Sequence, residues 1–427
     1  GFLFPNGISD ISILTDNTIV SGGYYHSTGD NLLSFRFNTD GSLAPFNTAT
    51  WFEHYFDDYE NITATFALPD NKTILAGWYG LADKSYFVIQ LTPDGFPDPT
   101  FGTDGVLTGD VDFIAQGIDV FYGLSGDYSI YLAGNKDGYT TPAILKLYED
   151  GTVATTFGTD GFYEYPGYDG GFSDIYVHSF AGSGYIFVCG NKDLDNMSSV
   201  SKHNLGTGEL ITDFATDGVF NFMVPDGSNT WASSLVYTSS ITNSKIAVVG
   251  DYVHADGDSD VYAYRLDVTT GNPDPGFGIN GHSEIRLATS SEYVFDALAQ
   301  AGGKYYIGGS SNMSGTSDFF LGRWNSDGTL DLTFGVNGVV TTDIQGTDYI
   351  AGLALNDDQT RIFAGGISSN ENSNRAGTMA CYYTDFGVAV DDNSALTTNQ
   401  LKTYPNPASD HIIVVVEQEG LYEVELY

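Results

Sequence analysis

Among the residues whose types and spacing could do chemistry, Asp256, Asp258 and Asp260 come first, in the run DGDSD at 256–260. Their alternation gives the oxygen spacing that Ca2+ favours. The run lacks the glycine after the third ligand and the bidentate glutamate of an EF-hand loop, and an acidic surface hairpin would read the same way. Seven histidines, at 26, 54, 178, 203, 254, 282 and 411, are scattered without the helical spacing of a metal-ligand pair. There is no G-x-S-x-G elbow, P-loop or dinucleotide fingerprint. Paired carboxylates for glycoside cleavage cannot be singled out among 55 acidic residues. Aromatic side chains near turns offer another chemistry. Trp51, in the run TWFEHYFDDYE at 50–60, and Trp78 and Trp231 could hold a sugar by stacking, with packing between structural units as the bland alternative. Trp324 sits inside an apolar strand and belongs to the core.

The elements that must position these residues are copies of one stretch, DGTLDLTFGVNGVVTTD at 327–343. It holds two glycine turns, a phenylalanine between them, and a β-branched run. Related stretches begin at 94, 150, 207 and 270, with a degenerate one at 40, and their landmark phenylalanines are Phe46, Phe101, Phe157, Phe214, Phe277 and Phe334. The separations, 55, 56, 57, 63 and 57 residues, mark a repeat architecture. A second landmark, a strand ending in a small residue and glycine, recurs seven times, at Gly22, Gly77, Gly134, Gly190, Gly250, Gly309 and Gly365. The sixth repeat parses into four strands at 293–299, 304–309, 318–324 and 338–343. Small residues crowd the first two strands and large aromatics the last two, the taper of a radial blade. The pattern predicts an all-β fold without appreciable helix, a seven-bladed β-propeller of four-stranded blades over 1–390. Asp-Gly at 327–328 and Asn-Gly at 337–338 suit turns with positive φ, and Phe334 should plug the space between adjacent blades. Residues 1–6 are expected to supply the outer strand of the last blade, with 386–390 competing for that place.

The chain carries 15 basic and 55 acidic residues, a net charge of −40, which repels nucleic acid and anionic membrane surfaces. Acidity spread over turns fits a solvated surface, and divalent-cation binding is the other reading. A hydrophobic share of 41% is enough to bury in each repeat, against disorder. Cys189 and Cys381 fall at non-equivalent strand positions in distant repeats and are expected to be buried free thiols. No apolar run approaches the length of a membrane helix. The start at Gly1, mid-repeat and without a signal peptide, suggests a trimmed or partial sequence. Residues 391–400 read as a polar linker. In 401–427 a Pro-Asn-Pro entry and two β-rich runs read as the start of a small Ig-like β-sandwich.

Leu75-Ala76-Gly77, Asp94-Gly95 and Phe101-Gly102-Thr103-Asp104-Gly105-Val106 resemble the delta-60 repeat family, a propeller-like family with no general activity to transfer. The tail, Tyr404-Pro405-Asn406-Pro407-Ala408-Ser409-Asp410 and the strand after it, resembles the C-terminal sorting domain of the type IX secretion system of Bacteroidetes, cut short before its distal elements. That resemblance implies export across the outer membrane, release or anchoring at the cell surface, and the secretion machinery as a partner. The leading expectation is a monomeric binding or adhesion module for a glycan or protein ligand, without a cofactor unless Ca2+. An extracellular enzyme acting on polysaccharide and a structural spacer are the alternatives.

Overall fold

The computed structural model describes residues 6–384, apart from 27–29, 45, 47–50, 57–58, 82–83, 139, 166–169, 181–182, 193–194, 240–243, 255–256, 288–289, 314 and 371–374, together with 401–404 and 413–416. Within these residues there is no α-helix. The first sheet runs β1 (Gly7–Ile13), β2 (Ile19–His26), β3 (Asp30–Phe37), β4 (Trp51–His54). A seven-stranded sheet follows, with β5 (Glu60–Ala67), β6 (Thr73–Tyr79), β7 (Ser85–Leu91), β8 (Val106–Tyr122), β9 (Tyr128–Lys136), β10 (Thr141–Tyr148) and β11 (Phe162–Glu164). Here two repeats share one strand, because β8 is the outer strand of one and the inner strand of the next. Three four-stranded sheets come after it. They are β12 (Gly170–Phe180) to β15 (Val219–Phe222) through β13 (Ser183–Lys192) and β14 (Met197–Asn204); β16 (Gly227–Thr238), β17 (Lys245–His254), β18 (Ser259–Asp267) and β19 (His282–Ile285); and β20 (Glu292–Ala299), β21 (Tyr305–Ser311), β22 (Asp318–Trp324) and β23 (Val339–Thr342). The last sheet holds β24 (Thr347–Leu355), β25 (Arg361–Ser369) and β26 (Arg375–Tyr383), with β27 (Leu401–Tyr404) and β28 (Ile413–Val416) at its outer edge.

The inner strands close a ring. β1 packs beside β5, β5 beside β8, β8 beside β12, and so on through β16, β20 and β24, which returns to β1. Each sheet is therefore a blade, except that the seven-stranded sheet makes two blades through β8, and the core is divided among the seams between blades. The landmark phenylalanines fill those seams. Phe101, Phe157, Phe214, Phe277 and Phe334 are fully buried and Phe46 nearly so. Phe334 packs with Ile350, Leu353 and Ile362 of the following blade, as Phe157 does with Phe172, Ile175 and Ile186. The next repeat's Asp-Gly turn closes over the ring: Gly328, at φ +80°, has no room for a Cβ, which would meet Gly278 N at 2.7 Å and Phe277 at 3.0 Å. Gly278 N in turn donates to Asp327 O at 2.7 Å. The turn at 337–338 has positive φ at both residues, as Asn-Gly predicts.

A cation from the third strand lies over most of these rings. Arg323 is 4.5 Å from the Phe334 centroid and Arg265 4.6 Å from that of Phe277. Arg36, Lys146 and Lys202 lie 5.7 to 6.0 Å from Phe46, Phe157 and Phe214. A chain with 15 basic residues thus places five of them at one repeated joint. Cys189 and Cys381 are buried free thiols, as expected.

At the closing blade, β28 pairs with β26 in parallel, Met379 opposite Ile413. Residues 1–5 and 386–390, the expected claimants to that place, lie outside the described residues. Asn6 does reach the last blade, its Nδ2 donating to Arg375 O at 3.3 Å.

Candidate functional site

Every described inner strand breaks register at a β-bulge near the start of its pairing with the second strand of its blade, and β16 has a further break at 227–229. A bulge leaves one residue out of the ladder and re-aims it. Here the bulged residues are Ser9, Thr63, Gln116 and Ser173, then Ser233, Phe295 and Ala351 on β16, β20 and β24. All seven line one cavity of about 560 Å3 at the mouth of the axis. We call this the upper face. The phenylalanine joints, in loops between third and fourth strands, lie at the opposite end of each blade.

Polar side chains and three aromatic rings complete the mouth. Trp231 is half-buried, while Tyr293 and Phe295 are 41% and 46% exposed. Phe295 leans on Tyr349 with ring centroids 5.3 Å apart. Asn135, Asn191 and Asp251 follow the strand-ending glycines Gly134, Gly190 and Gly250, and each reaches across a seam. Asn135 Oδ1 accepts Phe172 N at 2.9 Å and Asn191 Oδ1 accepts Ala232 N at 2.8 Å. Asp251 Oδ1 accepts Val294 N at 3.4 Å, a long contact. No lysine, arginine or histidine is among the described residues lining the cavity.

Just past the bulges sits a second tier, made of carboxylates. Asp10, Asp174 and Asp296 each follow the bulged residue, and Asp119 lies two positions further along β8. One oxygen of each accepts the next residue's N–H at 2.7 to 2.8 Å. The other oxygen crosses to the next blade, to Thr65 N, Val177 N, Leu235 N and Leu353 N, at 2.6 to 2.7 Å. The acid in one blade faces a small residue in the blade before it: a Cβ on Gly352 would come within 2.7 Å of Asp10 Oδ1. Burial pushes Asp10 and Asp119 up to about 7 and Asp174 to about 6, and Asp296 well above the usual carboxylate range. The charge of Asp174 adds to the rise at the other three. β1 and β12 are not neighbours in the ring, so the repulsion between Asp10 and Asp174 acts across the axis. The four residues keep partial solvent exposure despite their depth, as groups facing a central channel do.

Of the residues singled out in the sequence, Trp231 alone lines the mouth. Trp51 is half-buried against Phe35 and Trp78 lies under Lys84 Nζ at 3.8 Å, and neither lines the cavity. Trp324 is core, as expected. Asp256 lies outside the described residues and Asp258 is exposed. Asp260 is buried, accepting from His254 Nε2 at 2.5 Å and Arg286 Nε at 3.2 Å. Another acidic group, Asp318, Asp343 and Asp348, brings ligand atoms within 4.8 Å of one another, but Asp348 Oδ2 already accepts Ile344 N and Gln345 N. Tyr404 is in β27, and Pro405, Asn406 and Pro407 lie outside the described residues.

Sequence reading missed the two tiers. The signal was Ile-Ser-Asp-Ile at 8–11 and Phe-Ser-Asp-Ile at 172–175, an acid in the middle of a run otherwise suited to a buried strand.

Comparison with known proteins gives one family match and several similar structures. Residues 68–101 and 300–334 match a family described as a β-propeller domain of unknown function, DUF5122, and the two matches end on Phe101 and Phe334. The structure of the Dos1 propeller is similar at 13% identity and a TM-score of 0.44, covering 84% of this chain and 74% of that one. The β-propeller domain of the Trilobed protease from Pyrococcus furiosus is similar at 11% identity and a TM-score of 0.43, covering 89% and 95%. The polysaccharide lyase Uly1 is similar at 10% identity and a TM-score of 0.49, covering 88% and 90%. No curated protein sequence matches the chain.

Proposed function

We propose that this protein is a recognition module, a seven-bladed propeller that holds the end of a glycan in its upper axial mouth. The observation that carries the reading is the mouth itself: the bulge of every described inner strand contributes to a cavity with exposed aromatic rings and hydroxyl, amide and carboxyl groups. Rings that stack on the faces of sugars, with hydroxyls and amides around them, are what a polyhydroxylated ligand needs. The ends of β4 at His54 and β17 at His254, and the starts of β5 at Glu60 and β18 at Ser259, lie at the same end of their blades.

The wider role follows from the tail. Its likeness to a sorting domain supports export by the type IX secretion system and a place in the medium or at the outer surface. The acidic surface and the absence of a long apolar helix among the described residues are compatible with that. Glycoside hydrolysis is the rival class, but it uses paired carboxylates. Asp251 is the one carboxyl among the described residues lining the mouth.

A glycan array probed with the protein and with Trp231→Ala tests the reading. Binding that is lost in the variant, with an unchanged melting curve, is the expected result. Binding that survives Trp231→Ala, or that is lost only on changing Trp51, would move the site away from the axis. Release of reducing ends from a polysaccharide panel would replace a binding module with an enzyme.

A further inference from the structure

The mouth has an electrostatic character that a neutral sugar would leave unused. Asp251 lines the cavity and is 7% exposed. Its hydrogen bond to Val294 N is long, and among the described residues no lysine, arginine or histidine pairs with it. A buried carboxylate without a counter-charge is costly, and burial pushes this one up to about 7. Beneath it lie Asp10, Asp119, Asp174 and Asp296, likewise bonded to backbone N–H groups rather than to any cation among the described residues. The aromatic rings at the rim, Trp231, Tyr293 and Phe295, present negative faces that attract a cation as well as a sugar ring. In a chain of net charge −40, these fields add and exclude an anionic ligand.

We infer that the axial mouth selects a sugar carrying a protonated amine, an amino sugar with its nitrogen unacetylated, the ammonium resting beside Asp251 with the sugar ring against the aromatic rim. The inference rests on the reading of the mouth as a glycan site. It assigns Asp251 the specificity and leaves stacking to Trp231. The ammonium supplies the charge partner that the carboxyl lacks, and the tier of acids below draws positive charge toward the axis without touching it.

Calorimetric titration of the protein with the disaccharide of glucosamine, its di-N-acetylated counterpart and digalacturonate tests this. The free amine should bind at least about tenfold more tightly than the acetylated sugar, the size expected of one charge-assisted hydrogen bond, and digalacturonate should not bind. Asp251→Asn should erase the preference for the amine. In the unaltered protein, roughly 0.5 M salt should weaken binding of the amine and spare that of the acetylated sugar, a readout independent of whether the variant folds. Equal binding of the two sugars would overturn the charge assignment and leave the sugar site standing. Binding of none of the three would overturn the site as well.

Discussion

The two ends of each blade are built on opposite rules. At the lower end, the joint of phenylalanine and a glycine turn, Asp-Gly or Thr-Gly, with a cation over five of the six rings, recurs around the ring. At the upper end the backbone bulge recurs in all seven inner strands, but what it carries differs from strand to strand: serine, threonine, glutamine, phenylalanine, alanine. Repetition at the lower seams serves one task, closing a gap of constant shape, and any residue that closes it can be copied. Variation on a constant bulge is how a repeat protein makes a single asymmetric pocket from equivalent positions. The repeated residues therefore mark the scaffold, and the place to look for recognition is where a repeated backbone carries unrepeated side chains.

That contrast can be broken by mutation. Phe334→Ala removes a fully buried ring from a seam and should cost ~3–5 kcal/mol of stability, read as a lower denaturation midpoint. An unchanged midpoint would mean that the joint is not what holds neighbouring blades together. Asp174→Ala should cost less, about 1–3 kcal/mol in all, because water from the channel can reach the N–H groups of Ile175 and Leu235 that it leaves unpaired. A substitution at the rim, Phe295→Ala, should stay within about 0.5 kcal/mol, because nearly half of the residue is already exposed. If that variant proved as unstable as Phe334→Ala, the distinction between scaffold and site would fail.

Acidity distinguishes the two ends as well. The channel carboxyls have folded pKa values raised to about 6 or 7, against about 4 in the unfolded chain. A raised carboxyl favours the folded state while protonated, so its contribution is present near pH 4 and fades as pH climbs toward 7. At the lower joints Asp98 and Asp331 are shifted the other way: hydrogen bonds from threonine and lysine side chains outweigh desolvation, and their contribution is lost as pH falls below 4. The melting temperature should therefore be higher at pH 5 than at pH 7.5. Asp174→Asn should flatten that slope, whereas Asp331→Asn should alter only the acid limb. A flat profile between pH 5 and 7.5 would show that the channel carboxyls do not titrate as burial dictates.

Much of the scaffold was legible in the residues. The period of the phenylalanines, the strand-ending glycines and the Asp-Gly and Asn-Gly turns reflect local steric demands, which one sequence exposes directly. The four strands of the sixth repeat fall within about two residues of where the pattern puts them. The mouth was less legible because its residues meet only when the ring closes. Ser9 and Ala351 are far apart in the chain and neighbours around the axis. Trp231 resembled Trp51 and Trp78 as a tryptophan near a turn, and only the bulge at Ser233 places it by the cavity. The channel acids were hidden among the 55 acidic residues because their role lies in the N–H groups of the next blade, which no spacing within one repeat reveals.

The length of β8 has a consequence for how the molecule yields. From Val106 to Asp112 it pairs with β7, and from Phe113 to Tyr122 with β9, without a loop between. One core cluster joins the same two blades, with Ile74 and Val88 on one side and Ile130 and Leu145 on the other. A strand shared in this way acts as a splint. These blades cannot twist independently, and opening either one strips amide protection from both. In deuterium exchange their backbones should surrender as one unit, while the other blades, joined through loops, open singly.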